Sequence, residues 1–471
     1  MKQYFSSLLK CPERNRTVAV GLLCIATLWC LMLIANPGFF NHDELQKIDH
    51  IRRFGFSDYL RNHVKLYQGT EFGQPVRPFS FLVQGLVSYF IPSYPFIVHF
   101  VDVLTHAVIA MLLFGALTDT YRNRQFAWIA AIVFVCSPLA TFSVGWSAAL
   151  MDRFYVLFGL LAFIASARYV SLRSGPIALA GVFLASTLAM FSKETAAVLP
   201  GSLLLFLFFP PAAGMDFKRL IKAFVVWSLP VLMFLAYRAT ALIGSFAAKE
   251  SSPYAASLSH LLDGVLVYGI YPFLPSLTEA GIWQFQPVWE MVAAAVAHFL
   301  VVGLLWRSFS IRVAILYVVC YYSFLAPVLL IPTRGAHYLY GSGIAQSVAL
   351  AAIFVLSPQR KKMWGNLLVI CLFAGASIHA FVSQNFIYSL GSCMNSASVS
   401  LESAYLSGGR PERMQISVDE GAPGHILHRL TTGREQIGNY YPVHFEILDR
   451  AQGGAAAAPY GFNESCIVFK R

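Results

Sequence analysis

The chain has 471 residues, of which 57% are hydrophobic and only 12% are charged, and its formal net charge is +11. Soluble globular domains carry about a quarter charged residues, so this composition excludes an ordinary soluble protein as well as disordered and disulfide-scaffold proteins. The apolar residues lie in separate runs of about twenty, the length at which a helix crosses the hydrocarbon of a bilayer. We therefore predict an all-α polytopic membrane protein.

The positive charge is concentrated in a few places. From residue 391 onward there are 7 basic and 8 acidic residues, so the excess lies in the first 390 positions. There, 16 of 27 Lys and Arg fall in the amino terminus and five short loops, a pattern typical of cytoplasmic loops and not of nucleic-acid binding. These residues are Lys2, Lys10, Arg14, Arg16, Arg122, Arg124, Arg168, Arg173, Lys218, Arg219, Lys222, Arg307, Arg312, Arg360, Lys361 and Lys362.

If all of these clusters are cytoplasmic, the chain crosses the membrane about eleven times (11–13), with the amino terminus inside and the carboxyl terminus outside. The first run lacks a convincing cleavage site, which favours an uncleaved anchor. Residues 79–91 are either a short span or a re-entrant segment, and 261–275 lie outside or at the interface. The spans are predicted near 17–37, 95–118, 126–145, 154–172, 176–192, 195–211, 220–245, 288–306, 311–331, 338–357 and 363–388.

Two regions outside the spans have their own character. In the first outer loop, residues 38–78, Leu45, Ile48 and Ile51 fall at helical spacing, which favours an amphipathic helix on the outer membrane surface. Residues 389–471 lose the apolar runs, so we divide the chain into a transmembrane domain, 1–388, and a small soluble α+β domain, 389–471, with a strand near 440–448. Cys393 and Cys466 lie at the two ends of this tail, either as a disulfide in an oxidising compartment or as two free thiols.

The conspicuous isolated charges all fall on the outer face of this topology. Ionisable groups near the membrane are costly, so their clustering indicates a functional site, with interface anchoring as the alternative. These residues are His42, Asp43, Glu44, Arg77, Asp152, Arg153, Lys193, Glu194, Arg334 and His337.

Each group suggests a chemical role. Asp43 and Glu44 can divide labour between a base for an acceptor hydroxyl and a ligand of a divalent cation or sugar, or they are simply a favourable pair at a helix amino terminus. Lys193 can neutralise a lipid-linked phosphate while Glu194 orients it, or it is a snorkelling lysine with an exposed ion pair.

A second outer motif, IPTRGAHYLYGSG, offers phosphate-binding groups. The guanidinium of Arg334 suits phosphate oxygens, and the imidazole of His337 can bind phosphate or metal. Tyr338 and Tyr340 either stack on a sugar or belong to an interfacial belt. His99 and His106, seven residues apart, are interpreted as packed core residues.

With these segments identified, residues 20–360 resemble the GT-C superfamily of membrane glycosyltransferases, especially the protein O-mannosyltransferases and the tetratricopeptide-containing O-mannosyltransferases. The matching pieces, in order, are Asp43-Glu44, Arg77-Pro78-Phe79, HFVDVLTHAVIAMLLF, SPLATFSVGWSAALMDRFYVLFGLLAF, FSKETAAVLP and RGAHYLYGS.

The resemblance implies that Asp43, with Glu44 beside it, is the catalytic base or metal-associated acid. It also implies that Lys193, Glu194, Arg334, His337 and Tyr338 surround the lipid phosphate, with Arg77 contributing and His42, Asp152 and Arg153 as secondary candidates. If Mg²⁺ or Mn²⁺ is bound, the ligand candidates are Asp43, Glu44 and His337.

The sequence also departs from these families. His337 stands where relatives often have Arg, Asp102 where Asn is usual and Ser137 where His often precedes proline. No tetratricopeptide repeats follow, so the part that recognises the acceptor is different.

We therefore expect an inverting glycosyltransferase that uses a polyprenyl-phosphate sugar on the outer side of a bacterial inner membrane. The acceptor is expected to be a glycan, a lipid or a surface protein. The alternatives are a transporter or flippase for lipid-linked sugars, which would place charges near the bilayer midplane, and an O-antigen ligase or polymerase, which usually has its dominant outer loop late in the chain.

Overall fold

A computed structural model of the chain describes residues 13–39, 42–63, 76–91, 94–247, 255–358, 362–437, 440–449 and 458–471. The helices, numbered in chain order, are α1 Glu13–Trp29, α2 Leu31–Ile34, α3 His42–Phe54, α4 Phe56–His63, α5 Pro78–Phe90, α6 Pro95–Tyr121, α7 Arg124–Val135, α8 Pro138–Gly145, α9 Leu150–Val170, α10 Ile177–Ser192, α11 Leu205–Phe208, α12 Phe217–Ala247, α13 Leu261–Ile270, α14 Val288–Ser308, α15 Ile311–Ser323, α16 Ala326–Leu329, α17 Tyr340–Leu356, α18 Lys362–Ser407 and α19 Gly424–Thr431. Short 3-10 segments lie at Ser147–Ala149, Glu194–Leu204, Leu258–His260, Tyr271–Phe273, Ala280–Phe285 and Ala336–Leu339.

The apolar helices agree with the predicted membrane protein. Within the described ranges, six helical segments are long and apolar enough to cross a bilayer, and each overlaps a predicted span. They are Pro95–Tyr121, Ser147–Val170, Phe217–Ala239, Val288–Ser308, Ala336–Leu356 and Met363–Ser407. The mostly helical integral membrane fold is therefore confirmed, whereas the number of crossings stays a prediction.

The span predicted at 126–145 is broken into α7 and α8, which meet at an angle of 55°. Pro138 causes the break, because proline lacks an amide hydrogen and disfavours helical geometry at the residue before it. Ser137 has extended backbone geometry, and its Oγ accepts the amide hydrogen of Leu139 at 3.2 Å. Pro200 similarly lies inside the 3-10 segment that occupies the start of the span predicted at 195–211.

Helix α3 lies where the amphipathic helix was expected, but its apolar face packs on protein. Ile48 is 5% exposed and forms a small cluster with Phe39 and Val98, and Ile51 is 7% exposed. Neighbouring parts of the chain therefore supply apolar surface that covers Ile48 and Ile51, and the location of the helix at the outer membrane surface stays a prediction. The ambiguous segment 79–91 forms helix α5, and α13 begins the segment 261–275.

The carboxyl-terminal region contains four strands, β1 Arg413–Val418, β2 His444–Asp449, β3 Tyr460–Phe462 and β4 Val468–Lys470. They form one sheet in the order β2-β1-β3-β4, in which β1 is parallel to both β2 and β3, and β4 is antiparallel to β3. Helix α19 connects β1 to β2 and buries Ile426, Leu427 and Leu430. The small α+β element predicted here is therefore present.

Helix α18 continues past residue 388, where we placed the domain boundary, and ends at Ser407. A disulfide between Cys393 and Cys466 joins this helix to the turn between β3 and β4. The last long helix is thus covalently attached to the sheet. We call residues 408–471, which contain this sheet and α19, the C-terminal domain.

Candidate functional site

The first component of the site is a buried ion pair between Lys193 and Asp152. Lys193 directly follows α10 and precedes the 3-10 segment, whereas Asp152 lies in the first turn of α9. Their side chains are only 3% and 1% exposed. The ammonium of Lys193 lies 4.5 Å from the centre of the Tyr338 ring, a cation–π contact. Three segments far apart in the chain therefore converge on one lysine.

The second component is an ion pair between Arg77 and Glu194. Arg77 directly precedes α5, and its Nε donates to Glu194 Oε2 at 2.9 Å. The same guanidinium lies 2.7 Å from the sulfur of Met151, next to Asp152. Arg77 also interacts electrostatically with Asp152 and Lys193, so the two pairs form one cluster. We call these four residues the paired-charge cluster.

The acidic pair at the start of α3 is asymmetric. Glu44 is 7% exposed, and its Oε1 accepts the amide hydrogen of Ala148 at 3.2 Å. Its Oε2 is buried and has no hydrogen-bond partner among the described residues, while the side chain of Asp43 is partly exposed. Burial, reinforced by the charge of Asp43, raises the pKa of Glu44 to about 7. One carboxyl is therefore poised to exchange a proton near neutral pH.

Lys47 connects the acidic pair with the paired-charge cluster. It interacts electrostatically with Asp43, Glu44 and Arg77, and burial lowers its pKa against the attraction of the two carboxylates. Together with Glu44 and Gln84, Lys47 lines a small cleft of about 20 Å³. Sequence reasoning missed this lysine, although its spacing of three and four residues from the acidic pair on a predicted helix was a usable signal.

Arg334 pairs with Asp263, and its binding of the donor phosphate stays a prediction. Its side chain is 4% exposed, and its Nε donates to Asp263 at 3.0 Å. The remaining nitrogens donate to backbone carbonyls, those of His260, Val328 and Ile331. This guanidinium therefore braces the turn that carries His337 and Tyr338.

His337 and Tyr338 lie at the edge of the paired-charge cluster. The His337 ring packs against Tyr338, with centroids 4.1 Å apart, and edge-on against Trp146 at 4.7 Å. The carbonyl of His337 accepts a hydrogen bond from the Ser143 hydroxyl at 2.8 Å. The motif after Arg334 is thereby fixed to the end of α8.

The secondary candidates separate into two roles. Asp152 belongs to the paired-charge cluster, whereas Arg153 is 1% exposed and donates to Asp102 at 2.5 Å and to the carbonyls of Ser143 and Val144. A buried guanidinium needs a carboxylate, which explains why an aspartate stands at position 102. The side chain of the third candidate, His42, lies outside the described part of the structure.

A further residue that sequence reasoning missed is Arg238, on α12. It interacts electrostatically with Glu194 and Arg77, while Leu232, Met233 and Leu235 on the same helix are exposed apolar residues. Arg238 is the one charged residue in the apolar stretch of α12 that follows Lys222, and an isolated charge there indicates a functional position, which was the available signal.

The described residues do not fit the metal site that we considered. No group of three or more His, Cys, Asp or Glu side chains is arranged to hold a metal ion in the described part of the chain. Asp43 and Glu44 instead have the ammonium of Lys47 nearby, and the His337 ring packs between two aromatic rings.

Comparison with known proteins gives a fold. No family model and no curated protein sequence matches the chain. Among solved structures, ArnT from Cupriavidus metallidurans bound to undecaprenyl phosphate matches with a TM-score of 0.50 and 10% sequence identity, over 93% of this chain and 88% of that one. The chain has the GT-C fold.

Two other similar GT-C structures are longer proteins. The mycobacterial arabinofuranosyltransferase AftD matches with a TM-score of 0.45 and 12% identity, over 87% of this chain and 30% of that one. An oligosaccharyltransferase from Archaeoglobus fulgidus, tethered to an acceptor peptide, matches with a TM-score of 0.46 and 12% identity, over 88% and 63%. This chain therefore spans less than a third of AftD and under two thirds of the archaeal enzyme.

Proposed function

We propose that this protein is an inverting glycosyltransferase. It transfers a sugar from a polyprenyl-phosphate-linked donor to a glycan, lipid or protein acceptor on the extracytoplasmic face of the membrane. The observation that carries the proposal is the paired-charge cluster at helix ends, with the acidic pair of α3 connected to it through Lys47. The ArnT structure with a similar fold was solved with undecaprenyl phosphate bound.

The cluster is suited to binding the donor phosphate. Its cations, Arg77 and Lys193, are held in position by Glu194 and Asp152, so little reorganisation is needed when an anion arrives. A phosphate can compete with these carboxylates because charge-assisted hydrogen bonds to its oxygens are strong. Arg238 adds a third positive charge beside the exposed apolar face of α12, where the lipid chain would lie.

The acidic pair is suited to activating the acceptor. In our proposal, Asp43, the more exposed carboxyl, takes the proton of the acceptor hydroxyl. The hydroxyl oxygen then attacks the anomeric carbon as the bond to the phosphate oxygen breaks, and the configuration inverts. Glu44, anchored on the Ala148 amide, orients Asp43 and supplies a second carboxyl able to exchange the proton. The His337–Tyr338 edge keeps Lys193 in place.

The proposed location is the bacterial inner membrane, with the amino terminus in the cytoplasm and the C-terminal domain outside. The disulfide between Cys393 and Cys466 supports an oxidising compartment for that domain. A flippase would carry its charges near the bilayer midplane, whereas the paired-charge cluster is built from residues at the ends of α9 and α10 and the start of α5. No observation favours that alternative or the ligase and polymerase one.

Cells with and without the gene, compared by mass spectrometry of surface glycans, lipids and proteins, test the proposal. Loss of one sugar identifies the acceptor class, and identical profiles would refute the proposed function. Complementation with Asp43→Asn should leave the sugar missing, because a general base typically contributes about a hundredfold to ten-thousandfold in rate. Asp419→Asn, a partly exposed carboxylate in the C-terminal domain, is the matched control and should restore the sugar.

A purified assay separates catalysis from donor binding. Asp43→Asn should bind undecaprenyl phosphate as the wild type does, because the paired-charge cluster is untouched. If Asp43→Asn and Glu44→Gln both transferred sugar at the wild-type rate, the acidic pair would have no catalytic role. That result would favour the alternative function as a transporter of lipid-linked sugars.

A further inference from the structure

The C-terminal domain contacts the helix that carries the acidic pair. Arg434 donates two hydrogen bonds to Asp49 of α3. Its Nε donates to Oδ2 at 2.6 Å, and a terminal nitrogen donates to Oδ1 at 3.3 Å. These side chains are only 8% and 11% exposed. Asp49 follows Asp43 by six residues, about 9 Å along the helix axis. A bidentate contact of this kind constrains orientation as well as distance.

Two flanking contacts extend this junction along α3. One turn before Asp49, Gln46 donates to the carbonyl of Thr432 at 2.8 Å. One turn after it, the guanidinium of Arg53 lies 3.3 Å from the centre of the Tyr441 ring. The C-terminal domain thus contacts α3 on three successive turns.

Gly433 shows how close the approach is. A Cβ atom at this position would lie 2.4 Å from the side-chain amide nitrogen of Gln46. The backbone φ of Gly433 is +65°, which residues other than glycine rarely adopt. A larger residue at position 433 would displace the end of the Gln46 side chain and strain the backbone.

The C-terminal domain is itself attached to α18 and to the segment before α14. The disulfide joins it to α18, the Ser400 hydroxyl of α18 accepts the amide hydrogen of Val468 at 2.9 Å, and Arg429 pairs with Glu279 at 2.7 Å. A domain fixed in this way can act as a rigid support for α3.

We propose that Arg434 and Asp49 are positioning residues that hold α3 so that Asp43 and Glu44 face the donor site. This inference rests on the proposed function and extends it to the C-terminal domain. Arg434→Ala leaves Asp49 buried without its guanidinium and releases the helix. Because a displacement of about 1 Å can lower a rate a hundredfold, we expect a loss of turnover of that order with unchanged binding of undecaprenyl phosphate.

The matched control is Arg413→Ala. Arg413 belongs to the same domain and also pairs with a carboxylate, but its partner Glu446 lies in the same sheet and its side chain is 65% exposed. Turnover, KM for donor and binding of undecaprenyl phosphate are measured for both variants, together with hydrogen–deuterium exchange of residues 42–54. A released α3 should exchange faster in Arg434→Ala, and Arg413→Ala should match the wild type in every measurement.

A rescue separates positioning from a general loss of folding. The single variants Asp49→Arg and Arg434→Asp should both lose turnover. The charge-swapped Asp49→Arg/Arg434→Asp protein should turn over at least ten times faster than either of them. If Arg434→Ala does not fold, judged by loss of the Cys393–Cys466 disulfide, Arg434→Lys replaces it and should reduce turnover about tenfold, since lysine lacks the planar fork.

The outcomes distinguish the two proposals. Wild-type-like turnover and exchange in folded Arg434→Ala or Arg434→Lys would overturn the positioning role while leaving the proposed function intact. A wild-type protein without transfer activity would refute the proposed function. The exchange measurement then decides the positioning role alone, with faster exchange of α3 supporting it and unchanged exchange overturning it.

Discussion

Glu44→Gln should make the protein more stable at alkaline pH and less active. The substitution keeps the size of the side chain and an oxygen that can accept the Ala148 amide hydrogen, while it removes the buried charge. Glu44 is 7% exposed, so the charged form loses most of its hydration in the folded state.

The expected magnitude follows from the pKa. Burial, reinforced by the charge of Asp43, raises the pKa of Glu44 from 4.5 to about 7. A difference of this size corresponds to about 3 kcal/mol. Between these two values the folded protein holds a proton that the unfolded chain has released, so the free energy of unfolding falls as the pH rises from about 4.5 to 7. Above pH 7, the free energy of unfolding of the wild type is lowered by the full cost of burying the charged carboxylate.

Thermal unfolding in detergent at pH 5 and at pH 8, combined with a transfer assay, measures this effect. The wild type should have a lower free energy of unfolding at pH 8 than at pH 5. In Glu44→Gln this difference should be smaller, by about the amount that ionisation of Glu44 contributes. Transfer should rise with pH through about 7 in the wild type and be much slower in Glu44→Gln. Glu402→Gln, on an exposed position of α18, is the control and should change neither quantity.

A specific result would refute this reasoning. If Glu44→Gln were destabilised at pH 8 by as much as at pH 5, the carboxylate would be a stabilising structural group and not a strained functional one. The raised pKa would also be contradicted if the stability of the wild type rose from pH 5 to pH 8 and Glu44→Gln showed the same rise.

Three further predictions concern the paired-charge cluster, the disulfide and the topology. Lys193→Ala should weaken binding of undecaprenyl phosphate and also destabilise the protein by about 3–5 kcal/mol, because Asp152 remains buried and unpaired; if the Lys193→Met/Asp152→Leu double variant regained both stability and binding, the lysine would have no role at the phosphate. Cys393→Ser should lower the stability of the C-terminal domain by about 2–4 kcal/mol, measured by its unfolding under non-reducing conditions, and peptide mapping that found two free thiols in the wild type would contradict this. Cysteines introduced at positions 361 and 430 should be labelled from opposite sides of the membrane, in the cytoplasm and outside respectively, and labelling of both from one side would contradict the odd number of crossings.

The sequence alone was sufficient for the class of protein and for six of its long apolar helices. Length and apolarity are local properties, so runs of about twenty apolar residues predict spans without knowledge of their neighbours. Six of those spans coincide with long apolar helices. The isolated charges were also visible, since an ionisable residue beside an apolar run is conspicuous in any fold. The break at Pro138 could have been predicted from the same local information.

Which charges pair was decided only by the tertiary structure. Lys193 and Glu194 are adjacent in the chain, yet Lys193 pairs with Asp152 and Glu194 with Arg77. Arg334 pairs with Asp263, 71 residues earlier in the chain. Neighbours in sequence point in different directions, so partners come from segments that packing brings together.

The same holds for the environment of the acidic pair. Glu44 accepts a hydrogen bond from the amide of Ala148, and Asp49 of α3 pairs with Arg434, 385 residues away. A hydrophobic pattern tells which face of α3 is apolar, but not whether lipid or protein covers it. That choice depends on the surfaces that the rest of the fold places nearby, and these form only when distant segments have packed.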